Sequence, residues 1–269
     1  MQSNAVQTAQ ATPEPRELAT RIRAHVLRLA HRSAEPWVGP SLSLVDVLTV
    51  LYGGAARIDP AAPRGPERDR VVLSDRRAAF ALYATLTTTG FFPATELRSL
   101  AGRTRAEAER LPGIELASRG PAHGFAVAVG LAVALRRAGG GARVFVLTGE
   151  VEGAVGLTWE SAALAAELGL DNLVVVVNDD RTEDEAADRT PPAERWQAHD
   201  WATRSVDGHD YKGMHKAFSR LPWEPGRPSA LVSKTLSGAG VSFMESDPAW
   251  RERAPDAKQL QQALAELKE

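Results

Sequence analysis

The sequence predicts an α/β fold in which one doubly wound, mostly parallel sheet carries helices on both faces. Segments with helical spacing alternate along the chain with short strand-like segments, as repeated βαβ units require. The segment 172–178 (NLVVVVN) contains an unbroken run of valines, which is typical of a strand buried on both faces of a parallel sheet. The chain has 269 residues and no visible repeat, so we expect one large domain with a well-buried core.

The predicted elements follow in order along this domain, which we place at residues 16–269 after a disordered leader at 1–15. The segment 16–32 has apolar residues at helical spacing, and Ser43 is predicted to cap the next helix with Asp46 as its capping-box partner. Further helices are predicted at 78–88, at 123–137, from 156 onwards, at 211–220 and at 255–269. Strands are predicted at 70–74, 143–149, 172–178 and 229–235, and an acidic, Pro-ended loop is predicted at 183–192. Ligands of such folds bind at the carboxyl ends of the strands, so we expect a site there.

The predicted helix 123–137 has a composition that bears on assembly. Its apolar residues lie on all sides, which predicts that the helix is buried. Ala126, Gly130 and Ala134 are four residues apart and form a stripe of small side chains on one face. A second helix can approach such a stripe closely. Two interpretations stay open, namely packing within the chain and contact between subunits.

The overall composition excludes several classes of function. Apolar residues make up 43% of the chain and charged residues 25%, and the formal net charge is −2, so no global field favours nucleic acid or an anionic membrane. The absence of Cys excludes disulfides, thiolate nucleophiles and Cys-ligated metals, and fits a cytoplasmic protein. The first fifteen residues have neither a basic start nor an apolar core, so no signal peptide is predicted. No apolar run is expected to reach membrane-spanning length.

A series of short motifs carries a resemblance to one enzyme family. The series consists of SLS at 41–43, LY at 51–52, RDR at 68–70 followed by VVLS, ALY at 81–83, PGIE at 112–115, WE at 159–160, LDNL at 170–173, DGHD at 207–210 and GVSFMES at 240–246. In order and spacing, residues 16–269 resemble the N-terminal domain of transketolases. The resemblance implies the thiamine diphosphate-binding fold.

The resemblance also implies a cofactor and a partner. In the family this domain holds the diphosphate of thiamine diphosphate through Mg²⁺, while a separate domain binds the pyrimidine end. Nothing in this sequence corresponds to that second domain. The chain therefore looks like the N-terminal subunit of a split transketolase. It would pair with a separate subunit that carries the pyrimidine-binding and C-terminal domains, in a two-fold assembly.

Candidate site residues follow from the positions that match the family's motifs. Gly149, Glu150, Gly120 and His123 are the candidates for binding the cofactor. The candidate metal ligands are the side chains of Glu150 and Asp180 and the backbone carbonyl of Thr182. No catalytic residue is assigned, because the matched positions lack the family's histidines.

The matched positions depart from the family's pattern in several ways. The family's Gly-Asp-Gly is Gly149-Glu150-Val151 here, with a longer acid and a β-branched side chain where phosphate would approach backbone. The family's histidines become Trp37, Arg77 and Arg251, and a further one is matched only loosely near Arg103. Arginine cannot act as a general base, because it stays protonated. The family's Gly-rich loop becomes RGPAHG at 119–124, and the acid that relays protons between paired sites becomes Val155.

These departures leave several functions open. The first is a transketolase-like N-terminal subunit whose thiamine diphosphate and Mg²⁺ site is altered or lost, with weak or absent binding in the isolated chain. The alternative is a subunit of a divergent thiamine diphosphate-dependent two-carbon (ketol or acyl) transferase with an altered substrate. An ordinary transketolase half and a stand-alone binding protein for a small anion are also consistent with the sequence.

The charged residues at the changed positions suggest what fills the site. They are Arg76, Arg77, Arg119 and Arg251 on one side and Glu150, Asp180 and Glu252 on the other. A buried unpaired charge is costly, so arginines are predicted to occupy the space of the metal and to pair with Glu150 or Asp180. The competing interpretation is that all seven are solvated loop residues.

Overall fold

The computed structural model describes residues 14–99, 109–180 and 190–268, with the side chains of 98, 99 and 150 excepted. Five strands form one sheet, in which every neighbouring pair is parallel and the strand order is β1-β2-β3-β5-β4. The strands are β1 (Arg70–Leu73), β2 (Val144–Gly149), β3 (Leu173–Asp179), β4 (Ala202–Asp207) and β5 (Ser229–Lys234). The predicted doubly wound, parallel α/β fold is therefore confirmed.

Helices cover both faces of this sheet. The α-helices are α1 (Pro15–Ser33), α2 (Val38–Ser43), α3 (Val45–Val50), α4 (Ala79–Thr88), α5 (Ala94–Ser99), α6 (His123–Arg137), α7 (Gly156–Glu167), α8 (Pro192–Gln197), α9 (Tyr211–Phe218) and α10 (Ala257–Glu266). A π-helical turn follows α3 (Leu51–Ala55), and 3-10 turns lie at Arg76–Ala78, Glu150–Ala154 and Pro248–Arg251.

The strands divide the core into two layers because successive side chains point to opposite faces. Phe145 and Leu147 of β2 pack with α1 to α4, α9 and α10, whereas Val144 and Val146 pack with α6, α7 and α8. All six residues of β2 are buried. In β3, Leu173 to Asn178 are buried as well, which explains why the valine run was a reliable signal of a central strand.

One strand was not predicted from the sequence. β4 (ATRSVD) pairs only with β5, at the edge of the sheet. Its exposed residues Arg204 and Ser205 interrupt the apolar run that marks the other strands. An edge strand has one open side and needs little apolar pattern, so its pairing is decided by its neighbour rather than by its own composition.

The predicted cap at Ser43 was wrong. Ser43 is the last residue of α2, and its hydroxyl donates to the carbonyl of Pro40 at 2.8 Å. Asp46 accepts instead from Arg23 at 2.7 Å and from the Tyr211 hydroxyl at 2.7 Å. The Ser43 hydroxyl is therefore used within α2, and Asp46 is bound by residues from distant parts of the chain.

Helix α6 has the predicted bounds but not the predicted burial. Phe125 and Ala128 face the core, whereas Gly130 and Ala134 are exposed and Ala126 is half-buried. A β-carbon added at Gly130 would meet no atom within 4 Å. The stripe of small residues is therefore not used for packing within the described part of the chain.

Three remaining expectations concern the chain's ends and loops. The leader at 1–15 lies outside the described residues except for its last two, and α1 begins at Pro15. Most of the acidic loop at 183–192 also lies outside them. Contrary to expectation, the stretch Val38–Ala55 is as long and apolar as a membrane span, and 78% of it is buried inside the fold, as in a core helix.

Candidate functional site

Polar residues collect where the carboxyl ends of four neighbouring strands meet. Ser74 and Asp75 follow β1, Gly149 ends β2, Asp180 follows β3 and Thr235 follows β5. All five residues are buried. Because parallel strands end at the same edge of the sheet, residues far apart in sequence face one another here.

Glu152 is the most deeply buried carboxylate at this edge, with 1% of its surface exposed. One of its oxygens accepts from the Ser74 hydroxyl at 2.7 Å and from the backbone N–H of Ala122, and the other accepts from the N–H of Gly149 at 3.3 Å. Burial raises the pKa of Glu152 to about 7, although the bonds from Ala122 and Ser74 favour the charged form. The carboxyl group therefore changes charge near neutral pH.

Nothing in the motif comparison selects Glu152. The signal that marks it is an acidic residue three positions beyond the end of a buried strand. The backbone of Glu152 is fixed by α7, since the Thr158 hydroxyl donates to the carbonyl of Glu152 at 2.6 Å. The Trp159 indole donates to the carbonyl of Gly153 at 2.9 Å, and Arg195, stacked over Trp159, donates to the same carbonyl.

Ser74 joins the loop after β1 to the start of α6. Its oxygen accepts from the backbone N–H of Phe125 at 3.2 Å while its hydroxyl donates to Glu152. A β-carbon at Gly124 would lie 2.6 Å from the α-carbon of Ser74. Only glycine permits this approach, so Gly124 sets the position of Ser74 against Glu152.

Asp75 and Arg77 form an ion pair within the loop after β1. The Nε of Arg77 lies 2.9 Å from Oδ1 of Asp75, and its Nη2 lies 2.6 Å from Oδ2. Although burial opposes the charge of Arg77, the bond and the charge of Asp75 raise its pKa. A β-carbon on Gly149 would overlap both Asp75 Oδ2 and Arg77 Nη2. The ion pair therefore lies directly against the α-carbon of Gly149.

Asp180 is a second buried acid of the site, with 8% of its surface exposed. Burial raises its pKa, and the positive charges of Arg251 and Arg77 oppose that rise. Arg251 donates to the backbone carbonyl of Asp180 at 3.0 Å. Among the described residues, Oδ2 of Asp180 has no hydrogen-bond partner. This oxygen is available to hold a proton or to contact a ligand.

Asn178 forms the floor between these loops. Its amide donates to the Ser43 hydroxyl at 2.8 Å and accepts from the Thr235 hydroxyl at 3.0 Å. The amide group is therefore committed to joining β3 to α2 and β5, and it serves a structural purpose.

Comparison with known proteins identifies the family. The family model described as transketolase, thiamine diphosphate binding domain, matches residues 15–254. The chain belongs to the transketolase family.

Three relatives among known transketolase subunits match nearly the whole chain. The apulose-4-phosphate transketolase subunit of Phocaeicola vulgatus is 29% identical over 92% of this chain and 91% of its own length. The corresponding subunit of the same enzyme in Actinobacillus succinogenes is 32% identical over 93% and 95% of the two lengths. The 6-deoxy-6-sulfo-D-fructose transketolase subunit of a Clostridium species is 32% identical over 86% and 87%.

Solved transketolases share the fold. The transketolase from Leishmania mexicana superposes with a TM-score of 0.84 at 21% identity, covering 96% of this chain and 42% of that one. The transketolase from Campylobacter jejuni gives a TM-score of 0.81 at 23% identity, with the same 42% of its length covered. This chain thus spans less than half of the length of these full transketolases.

The structure brings together some of the transketolase positions selected from the sequence. Gly149 and Asp180 lie at the shared edge. Glu150 begins the 3-10 turn after β2, but its side chain is outside the described set, and Thr182 lies outside the described residues altogether. Val151 is 45% exposed. Among the described residues no group of three His, Asp or Glu side chains is arranged to hold a metal ion.

Gly120 and His123 lie at the start of α6, beside the site rather than at its charged edge. The carbonyl of Gly120 accepts from the Ser118 hydroxyl at 2.9 Å, and Nδ1 of His123 accepts from the N–H of Arg119 at 3.3 Å. Their neighbour Ala122 supplies the backbone N–H that reaches Glu152. In this loop the contact with Glu152 is therefore made by the backbone of Ala122 and not by Gly120 or His123.

The predicted pairing of arginines with Asp180 is not found among the described residues, and the side chain of Glu150, the other predicted partner, lies outside them. Arg77 does enter the site, but it pairs with Asp75 in its own loop, and no ion pair to Asp180 is formed among the described residues. Three of the other changed positions, Arg76, Arg119 and Glu252, are exposed. The sequence did not indicate Asp75, because no matched motif contains a charge there.

The described side chains leave little room beside Gly149, where the transketolase resemblance implies the diphosphate. The Asp75–Arg77 pair occupies the space beside Gly149. The carboxylate of Glu152 is engaged by Ser74 and by backbone N–H groups. Of the three candidate metal ligands only Asp180 is described, and its Oδ2 is unpartnered among the described residues, whereas the side chain of Glu150 and residue Thr182 lie outside them.

Proposed function

We propose that this chain is the N-terminal subunit of a two-chain transketolase-like protein, with a cofactor site that binds thiamine diphosphate and Mg²⁺ weakly or not at all when the chain is alone. The proposal of two separate chains is supported by the matched lengths. The two apulose-4-phosphate transketolase subunits match this chain over more than nine-tenths of both lengths, whereas the full transketolase from Leishmania mexicana is matched over 42% of its own length. The partner is a separate chain with the pyrimidine-binding and C-terminal domains. We expect both chains in the cytoplasm.

The altered site is supported by the ion pair against Gly149. Arg77 stands where the resemblance implies a histidine, and with Asp75 it fills space that a phosphate would need. On this proposal the chain alone does not transfer a two-carbon unit. Its residues Ser74, Glu152 and Asn178 hold the loops at the sheet edge in place for the partner.

Cofactor titration tests the proposal. The chain is mixed with millimolar thiamine diphosphate, with and without Mg²⁺, and its melting temperature is followed, since a ligand of the folded state raises it. We expect no Mg²⁺-dependent rise. A clear rise in the isolated chain would overturn the altered-site proposal. The triple variant Arg77→His, Glu150→Asp and Val151→Gly restores the implied residues and should bind more tightly than the parent.

A second candidate is a divergent thiamine diphosphate-dependent two-carbon (ketol or acyl) transferase subunit with an altered substrate. It is favoured by the unpartnered Oδ2 of Asp180, which a cation would satisfy. Relatives named for a sugar phosphate and a sulfosugar make phosphorylated or sulfonated sugars the substrate class to try. Mg²⁺-dependent binding that arises only when the partner chain is added, and that Asp180→Ala abolishes, would support this candidate.

The two-fold assembly is a further part of the proposal. The stripe of Ala126, Gly130 and Ala134 is open on the chain's surface, and Leu164 and Leu168 of the adjacent α7 region are 47% and 39% exposed. A two-fold axis would bring identical stripes together. Ala126→Leu combined with Ala134→Leu should shift the mass measured by light scattering towards the monomer. A parent chain that stays monomeric at every concentration, alone and with its partner, would contradict the assembly.

A further inference from the structure

A cavity of about 290 Å³ lies between the end of α1, α4 and the segment 114–118, next to the first turn after β1. The apolar side chains in its wall include Leu73, Phe80, Ile114 and Leu116. Two aromatic side chains, Trp37 and Tyr83, also line it. The volume lies at the lower end of the range of ~300–1,000 Å³ that is usual for small-molecule sites.

Arg76 is the cation of this cavity. Its guanidinium carbon lies 5.2 Å from the centre of the Trp37 ring, and among the described residues it has no carboxylate partner and donates no hydrogen bond. The adjacent Arg77 is committed to Asp75 by two short bonds. The planar fork of Arg76 therefore remains available to a carboxylate or a similar acceptor, with its stem resting on an aromatic face.

Trp37 is held in an unusual backbone conformation. Its φ is 77°, in the left-handed region that residues with a β-carbon seldom adopt. The residue immediately precedes α2, whose six residues are all buried, and its carbonyl accepts from the N–H of Ser41 at 3.2 Å. The surrounding core thus imposes the strained backbone that presents the indole to the cavity.

Tyr83 and Glu35 define the polarity of the remaining wall. Within the described part of the chain the Tyr83 hydroxyl has no hydrogen-bond partner. Burial and the negative charge of Glu35 raise the pKa of Tyr83, so the phenol stays protonated and can donate. Glu35 is exposed at the rim and would repel a ligand of high negative charge.

We propose that this cavity is a binding site for a small organic monoanion with an aromatic or apolar body. The carboxylate is bound by the fork of Arg76, and the ring packs between Trp37 and the apolar wall. All residues that line the cavity belong to this chain. Binding can therefore be tested without the cofactor or the partner chain, and the result does not depend on the proposed transketolase function.

The experiment compares three probes of one shape and different charge on the full chain: benzoate, benzamide and benzylammonium. Binding is measured by saturation-transfer NMR and calorimetry at neutral pH. Benzoate should bind best. Arg76→Gln should lower the affinity for benzoate at least about tenfold, as expected when a charge-assisted hydrogen bond is lost. Glu35→Gln should raise the affinity for benzoate by about twofold or more, because it removes a repelling charge.

Arg204→Gln is the matched control. Arg204 is another exposed arginine stacked on a tryptophan, 4.7 Å from the centre of the Trp223 ring, and its loss should leave benzoate binding unchanged. Arg76 has no ion pair to lose, so Arg76→Gln should keep the parent's melting temperature. The proposal is overturned if benzoate fails to bind at ten-millimolar levels, if benzamide or benzylammonium binds equally well, or if the two arginine variants behave alike.

Discussion

Replacing Glu152 by glutamine should remove much of the pH dependence of stability near neutral pH. The folded-state pKa of Glu152 is about 7, against an ordinary value of 4.5. The folded chain therefore keeps a proton that the unfolded chain has already released. Because the unfolded state binds fewer protons in this window, the free energy of unfolding falls as the pH rises from about 4.5 to about 7, and it levels off above that.

The size of the effect follows from the same shift. A difference of about two and a half pKa units, at about 1.4 kcal/mol per unit, corresponds to about 3 kcal/mol. Glutamine stays neutral at every pH, and its amide oxygen can still accept from Ser74 and Ala122. It gives up only the long bond from Gly149 at 3.3 Å. The variant should match the parent near pH 4 and be more stable by up to about 3 kcal/mol near pH 8.

Urea denaturation of both proteins across this pH range measures the difference directly. Asp180, whose pKa is also raised by burial, acts in the same direction but is present in both proteins and cancels. Glu252→Gln, at an exposed acid close to the site, is the control and should retain the parent's pH dependence. If the free energy of unfolding changed with pH in the same way in the parent and in Glu152→Gln, the raised pKa assigned to Glu152 would be refuted.

Two further predictions concern the scaffold around the site. Asp46→Asn should cost about 3–5 kcal/mol at neutral pH, measured by urea denaturation, because it leaves Arg23 buried without its partner. Although burial opposes it, the hydrogen bond from His209 and the charge of Arg23 lower the pKa of Asp46 to about 2 from 3.8. In the parent, about 2 kcal/mol of stability is therefore present above about pH 4 and should be lost as the pH falls through about 2. The Asp46→Asn variant should not show this loss. Gly124→Ala should cost about 1–3 kcal/mol, since its β-carbon would meet Ser74, whereas Gly53→Ala, where nothing lies within 4 Å, should not destabilise. Equal melting temperatures for the two glycine variants would contradict the close approach at Gly124.

The main architecture was predictable from the sequence because local patterns encode it. Central strands such as β3 must bury both faces, and only a continuous apolar run such as NLVVVVN meets that requirement. The order of helices and strands then placed Gly149 and Asp180 at one edge, since parallel strands end on the same side. Helix α6 was predicted to its last residue, although the exposure of its small-residue stripe was not.

The arrangement of charges was decided only by the tertiary structure. Ser74 and Glu152 are 78 positions apart in sequence, and Asp46 and His209 are 163 positions apart, so no local sequence pattern predicts either contact. Asp75 and Arg77 are close in sequence, but their position against Gly149 depends on how the loops after β1 and β2 meet. The sequence by itself determined that Gly149 and Asp180 reach the carboxyl edge of the sheet, but not that Asp75 and Glu152 join them there. Which of them pair there was decided by the fold, because burial makes every unpaired charge costly and selects partners by distance in space.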